Sequence, residues 1–294
     1  MIACSRVLCY ELGHRHLVDE NRQTGPRILP LLMQPFQDFF ELSADFQNSG
    51  RETAPADLFL PWRRTFRKFL LAFVLSACAL VSPSALAQSR QPNIIVILAD
   101  DLGYGDVGFN GCPDYPTPNI DSLTINGVRC SSGYVTHPFC SPSRAALLTG
   151  RYQQRFGHEN QPSTDAANPR LGVPAQELLL AQILQPAGYV CGAVGKWHLG
   201  VASNLHPMQR GFNEFFGFLE GASTYYNAPL LRGTTQITER AYLTDAFTRE
   251  AVSFINRHTT QPFFLYLAYN AVHDPFDTPP QNYMNRVANI PNQN

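Results

Sequence analysis

The sequence predicts an α/β fold, with a mostly parallel central sheet flanked by helices. Three observations carry that expectation. Asn93–Ala99 (N-I-I-V-I-L-A) is an unbroken apolar run rich in β-branched residues, as in a strand buried on both faces. Two further runs, Tyr189–Val194 and Phe263–Ala268, read as strands. Helical patterns separate the three, and strands alternating with helices imply parallel pairing through right-handed crossovers. At 294 residues and 44% hydrophobic, the chain has ample material for a large core.

The segments follow in chain order. Residues 1–61 carry scattered Pro and polar residues without sustained periodicity, and are expected to be a mis-assigned or disordered N-terminal extension. Residues 62–87 combine a basic start (W-R-R-T-F-R-K), a short apolar run and a small-residue end, which is the pattern of a secretory signal cleaved after Ala87. The apolar run is too short for a typical membrane span. Leu75-Ser76-Ala77-Cys78 also reads as a lipobox that would make Cys78 a lipid anchor, a lesser alternative because apolar residues continue beyond it. The chain is thus expected to be exported, to the periplasm or beyond.

Residues 92–294 form the remaining domain. Thr117-Pro118-Asn119 opens a short helix to about Asn126, with Gly127 as its cap. Ser141-Pro142-Ser143 leads into a helix over Arg144–Thr149, ended by Gly150. Gln176–Gln185 reads as a helix stopped by Pro186 and Gly188, and Leu243–Arg257 as a longer amphipathic one. Arg155–Pro174 and Gly221–Glu239 read as loops without a legible pattern.

A net charge of −1 leaves no electrostatic footprint for nucleic acid. Of seven cysteines, Cys112, Cys130, Cys140 and Cys191 follow the signal, in no zinc-like spacing. In an exported protein, two of Cys112, Cys130 and Cys191 can pair as a disulfide, and the sequence does not choose which.

Three polar clusters each follow a predicted strand: Asp100-Asp101, then Lys196 with His198 in G-K-W-H-L-G, then His273. In open parallel sheets, ligands bind beyond the carboxyl ends of the strands, so the three clusters converge on one edge. Adjacent carboxylates suit a hard divalent cation. Lys196 and His198, at i and i+2 in extended backbone, share a face and pair a fixed cation with a proton carrier. Cys140 sits at a helix entrance beside Arg144, where a thiol is expected to be acidified to a thiolate and an anion to be held. These features together describe a hydrolase for an anionic ester.

Cys140-Ser141-Pro142-Ser143-Arg144 followed by Leu148-Thr149-Gly150-Arg151 resembles the C-x-P-S-R-x-x-x-L-T-G-R motif of type I sulfatases, in the alkaline-phosphatase-like superfamily. Gly195–Gly200, Asn93–Asp101 and Thr117–Asp121 resemble three further elements of that family in the same order. The resemblance implies that Cys140 is oxidised by a formylglycine-generating enzyme to Cα-formylglycine, whose hydrate attacks the sulfur of a sulfate ester. It implies that Arg144 steadies the hydrate, that Lys196 and His273 bind sulfate or protonate the leaving oxygen, and that His198 positions the hydrate. It also implies Ca²⁺ on Asp100, Asp101 and the modified Cys140. Sulfated polysaccharides and simpler aryl sulfates are the implied substrates.

The family's later Asp-Asn metal ligands, typically in D-N-G, have no counterpart in this sequence. The expectation is therefore the N-terminal portion of a sulfatase domain, with an exposed sheet edge and weak or no activity. Phosphate or phosphonate monoester hydrolysis and a non-catalytic remnant are the alternatives.

Overall fold

The computed structural model describes residues 6–12 and 91–290. The expected signal segment 62–87, with Cys78 and Ala87, lies outside the described residues. No helix among the described residues is long and apolar enough to cross a membrane.

In chain order the elements are β1 Arg6–Leu12, β2 Asn93–Ala99, α1 Pro118–Asn126, α2 Cys140–Thr149, α3 Leu180–Leu184 and β3 Val190–Lys196. There follow β4 Glu214–Phe218, β5 Ala228–Arg232, β6 Thr235–Glu239, α4 Leu243–Arg257, β7 Phe263–Ala268 and α5 Gln281–Met284. They build a seven-stranded sheet in the order β1-β2-β7-β3-β4-β5-β6. The centre, β2-β7-β3-β4, is parallel, as expected. Both flanks are antiparallel: β1 pairs with β2, and β4, β5 and β6 form a meander.

That meander corrects the reading of Gly221–Glu239 as loop. Its signal was present, since only Gly233 and Thr234 separate β5 from β6, and Gly233 has φ +61 as a two-residue hairpin requires. Likewise β1 places a strand within residues 1–61, where none was expected.

Side chains alternate across β7. Phe264, Tyr266 and Ala268 join Leu148, Trp197 and Phe212 in one core. Phe263, Leu265 and Leu267 join Phe216, Phe247 and Phe254 against α4 in the other. Every residue of β7 is buried, whereas β2, one strand from the edge, buries only Val96 and Leu98.

Helix α2 begins at Cys140, earlier than expected, and Gly150 ends it at φ +66. The cap of α1, Gly127, is extended rather than left-handed. Helix α3, Leu180–Leu184, is shorter than the expected Gln176–Gln185. The Arg210 guanidinium donates to Val173 O (3.0 Å), Pro174 O (3.4 Å) and Glu177 O (2.7 Å), in the segment ahead of the helix.

Candidate active site

The polar clusters do meet at the carboxyl edge of the parallel strands. Asp100 follows β2, Lys196 ends β3, and His273 follows β7, while Cys140 opens α2. The β2–β7 pairing continues past the strands: Asp100 N donates to Ala271 O (2.9 Å) and Val272 N to Asp100 O (2.7 Å). This carries His273 to Asp101, with Nε2 3.7 Å from Oδ2. Asp101 itself is held at φ +59, a conformation that costs on the order of 1 kcal/mol for a residue with a Cβ.

Asp100 is completely buried between two cations. Lys196 Nζ donates to its Oδ2 at 2.5 Å, and Arg144 Nη2 lies 3.1 Å from its Oδ1. Arg144 also donates to Lys196 O (3.0 Å) and Tyr266 Oη (3.3 Å), locking α2 to β3 and β7. Burial opposes the charged carboxylate, but Arg144 and Lys196 outweigh it and bring Asp100 down to about 2.

Lys196 and His198 are brought together differently from the expected extended backbone. The strand stops at Lys196 and His198 turns left-handed, at φ +57. Trp197 N and His198 N donate to Phe218 O (3.0 Å) and Leu219 O (3.1 Å), and the buried Trp197 indole donates to Leu205 O (3.0 Å). Burial first, then Lys196 and Arg144, lower the His198 imidazole to about 3, so it is neutral at physiological pH. Gly221 lies against this ring: a Cβ there would come within 2.7 Å of it.

Cys140 is buried, and burial raises its thiol above the ordinary value although Lys196 and Arg144 pull the other way. This corrects the expected thiolate. The helix entrance and Arg144 are present, but the cation's charge is already taken up by Asp100.

Two residues that the sequence reading missed anchor the start of α2. The Ser141 hydroxyl donates to His198 O (2.6 Å) and lies 2.7 Å from His158 Nε2. Ser141 N donates to Gln161 Oε1 at 3.1 Å. Both partners come from the segment Arg155–Pro174, and no local pattern marks them. Asn270 was also missed: it is buried just before His273, and neither atom of its amide has a partner.

The donors of a cation site are partly in place. Ligand atoms of Asp100, Cys140 and His273 lie within 4.8 Å of one another. Asp101 Oδ1 is buried and accepts no hydrogen bond, and Asp100 Oδ1 has only its ion pair with Arg144, which suits a further cation as partner. The carboxylates of Asp100 and Asp101 therefore fit part of the oxygen shell of Ca²⁺, which takes about six to eight such donors.

The expected disulfide is absent, since Cys112, Cys130 and Cys191 are all free thiols. Cys191 is fully buried, with Sγ 3.7 Å from Ala181 O. A separate cleft of about 290 Å³ opens beside Met208, Phe216, Arg232, Glu250 and Arg257, at the opposite ends of β3 and β4. Its arginines and glutamates pair with one another, so it does not compete as the reactive centre.

The sulfatase family model matches residues 92–293. N-acetylgalactosamine-6-sulfatase of Mus musculus is 40% identical over 230 residues, covering 70% of this chain and 44% of that protein. Among solved structures, Ps i-CgsB in complex with k-i-k-neocarrahexaose is 40% identical with a TM-score of 0.63, over 68% of this chain and 48% of that one. Another, bound to its substrate D-glucosamine-2-N,6-O-disulfate, is 29% identical with a TM-score of 0.56, over 67% of this chain and 38% of that one. The chain thus spans less than half the length of these relatives.

Proposed function

The chain belongs to the sulfatase family, and from that premise we propose that it hydrolyses sulfate esters at the carboxyl edge of its parallel strands. One observation carries the reading: two buried cations, Lys196 and Arg144, converge beside Cys140 and a neutral His198. With Asp100 between them, the two cations leave one net positive charge in a dry site, which favours the monoanionic sulfate ester group and the charge that grows on it. The relatives that bind or act on sulfated sugars support a sulfated glycan as substrate.

In this proposal Cys140 is converted to formylglycine by a maturating enzyme. The hydrated aldehyde, when formed, supplies the oxygen nucleophile. Its raised thiol pKa supports the reading, because a protonated buried thiol is a poor nucleophile on its own account. Arg144, fixed by Asp100, Lys196 O and Tyr266, orients position 140 and its anionic neighbour. Lys196 Nζ binds a sulfate oxygen on the face away from Asp100. His198, neutral and unpartnered at Nδ1, accepts a proton from the group at position 140. His273, its side chain 19% exposed, donates one to the departing alcohol oxygen.

Asp100, Asp101 and position 140 would hold Ca²⁺, which would polarise a sulfate oxygen. Two carboxylates make a weak site, so turnover by this chain alone is expected to be low. Export through residues 62–87 belongs to the same proposal.

The test is co-expression with a formylglycine-generating enzyme, intact-mass detection of the aldehyde at position 140, and paired sulfate and phosphate ester assays. Sulfate turnover above phosphate turnover, abolished by Cys140→Ala, is the expected result. Turnover indifferent to Cys140→Ala, or phosphate preferred, would overturn the proposal.

A further inference from the structure

We propose that, while residue 140 is still a cysteine, the strand-end cluster is a binding site for Zn²⁺, held by Asp100, Cys140 and His273. The donor atoms of these three lie within 4.8 Å of one another. In a tetrahedral zinc site, neighbouring ligand atoms stand about 3.5 Å apart, so closure by about 1 Å completes it. One thiol, one imidazole and one carboxylate form the mixed donor set that zinc takes and Ca²⁺ does not.

The histidine is already prepared for the role. His273 Nδ1 lies 2.6 Å from Asp274 O, a hydrogen bond in which the ring donates. In the neutral ring, that fixes the tautomer and leaves Nε2 with its lone pair on the Asp101 side, 3.7 Å from Oδ2. Metal-bound histidines characteristically donate their second nitrogen to a carbonyl or carboxylate in this way. Asp101 offers a fourth donor, since its Oδ1 is buried without a partner.

Lys196 and Arg144 face the cluster and oppose a second positive charge. Lys196 occupies Asp100 Oδ2, and Arg144 Nη2 stands 3.1 Å from Oδ1 in an ion pair that makes no hydrogen bond, so a metal would share Oδ1 with Arg144. Binding exchanges the Cys140 proton for the metal, and the proton leaves to solvent. Two carboxylates and one thiolate then balance most of the charge of Lys196, Arg144 and the ion.

The consequence is a metal preference that follows the chemistry of residue 140. With sulfur present, the site selects a thiophilic cation. With the sulfur removed by conversion (this clause alone rests on the proposed function), the remaining oxygen donors suit a hard one.

The experiment titrates the reduced full chain with Cd²⁺ and reads thiolate-to-metal charge-transfer absorption, then displaces it with Zn²⁺. Cys140→Ser, which swaps sulfur for oxygen and leaves the other six of the seven cysteines in place, isolates the signal by difference. One equivalent of charge-transfer absorption should vanish in Cys140→Ser, and His273→Ala should weaken binding at least about tenfold. Near-ultraviolet circular dichroism checks that both variants keep the fold. No difference band between the chain and Cys140→Ser, or equal affinity in His273→Ala, overturns the proposal. Absence of sulfate turnover or of aldehyde would instead sink only the proposed function, because the titration needs neither.

Discussion

Two charged clusters tie strands to helices at opposite edges of the same sheet, and they differ in one respect. At the carboxyl edge, Asp100, Arg144 and Lys196 have side chains no more than 1% exposed. At the amino edge, Arg257 bonds Glu214 and Glu250, Arg232 bonds Glu250 and covers the Phe216 ring, and His258 bonds Glu214. There the arginine side chains are 41% and 52% exposed. Water screens the second cluster, so each pair contributes little. The first cluster has no such screen: its three charges are strongly interdependent, and removing one strands the others. A hydrolytic site needs that dry, preorganised field, and a surface clasp does not.

The comparison is broken most directly by Asp100→Asn. It keeps the shape but leaves two buried cations uncompensated, and should cost about 3–5 kcal/mol in urea unfolding. If the loss stays below about 1 kcal/mol, the buried cluster is not the rigid unit described here.

Acid sharpens the same point. Asp100 and His198 both have folded values below their ordinary ones, about 2 against 3.8 and about 3 against 6.5. Each therefore contributes stability that is present above the ordinary value and lost as pH falls toward the folded one. Stability should decline from about pH 6.5 downward through His198. From about pH 3.8 to 2, Asp100 should remove on the order of 2 kcal/mol more. His198→Gln should flatten the upper part of that profile and leave the lower part.

Gly221→Ala tests how tightly the imidazole is held. The new methyl would meet the His198 ring at 2.7 Å, so the ring must move, at a cost of about 1–2 kcal/mol. Shifted His198 ring resonances, with the rest of the spectrum unchanged, are the expected readout.

The smallest effect belongs to the exposed cluster. Arg257→Ala should cost less than about 1 kcal/mol, and salt should shrink the difference further. A loss as large as that of Asp100→Asn would erase the distinction between the two edges.

Much of this was legible in the residues themselves. Asn93–Ala99, Leu243–Arg257 and Phe263–Ala268 are seen at their expected bounds, because continuous apolar runs and strong amphipathic periodicity reflect local physics. The convergence of Asp100, Lys196 and His273 also followed, since strand ends in a parallel sheet share one edge. The motif around Cys140 carried the family.

Other features depended on contacts distant in sequence. Arg210 pins the segment ahead of α3 by donating to carbonyls more than thirty residues away. Ser141 links position 140 to His198 O and His158, and nothing local announces that pairing. The protonation of Cys140 was likewise decided in three dimensions. Spacing predicted an acidic thiol beside Arg144, but folding buried the thiol and gave Arg144's charge to Asp100. Composition and periodicity determine which segments become strands and which edge they offer. Burial and charge pairing, which exist only once the chain is packed, determine what state each group on that edge is in.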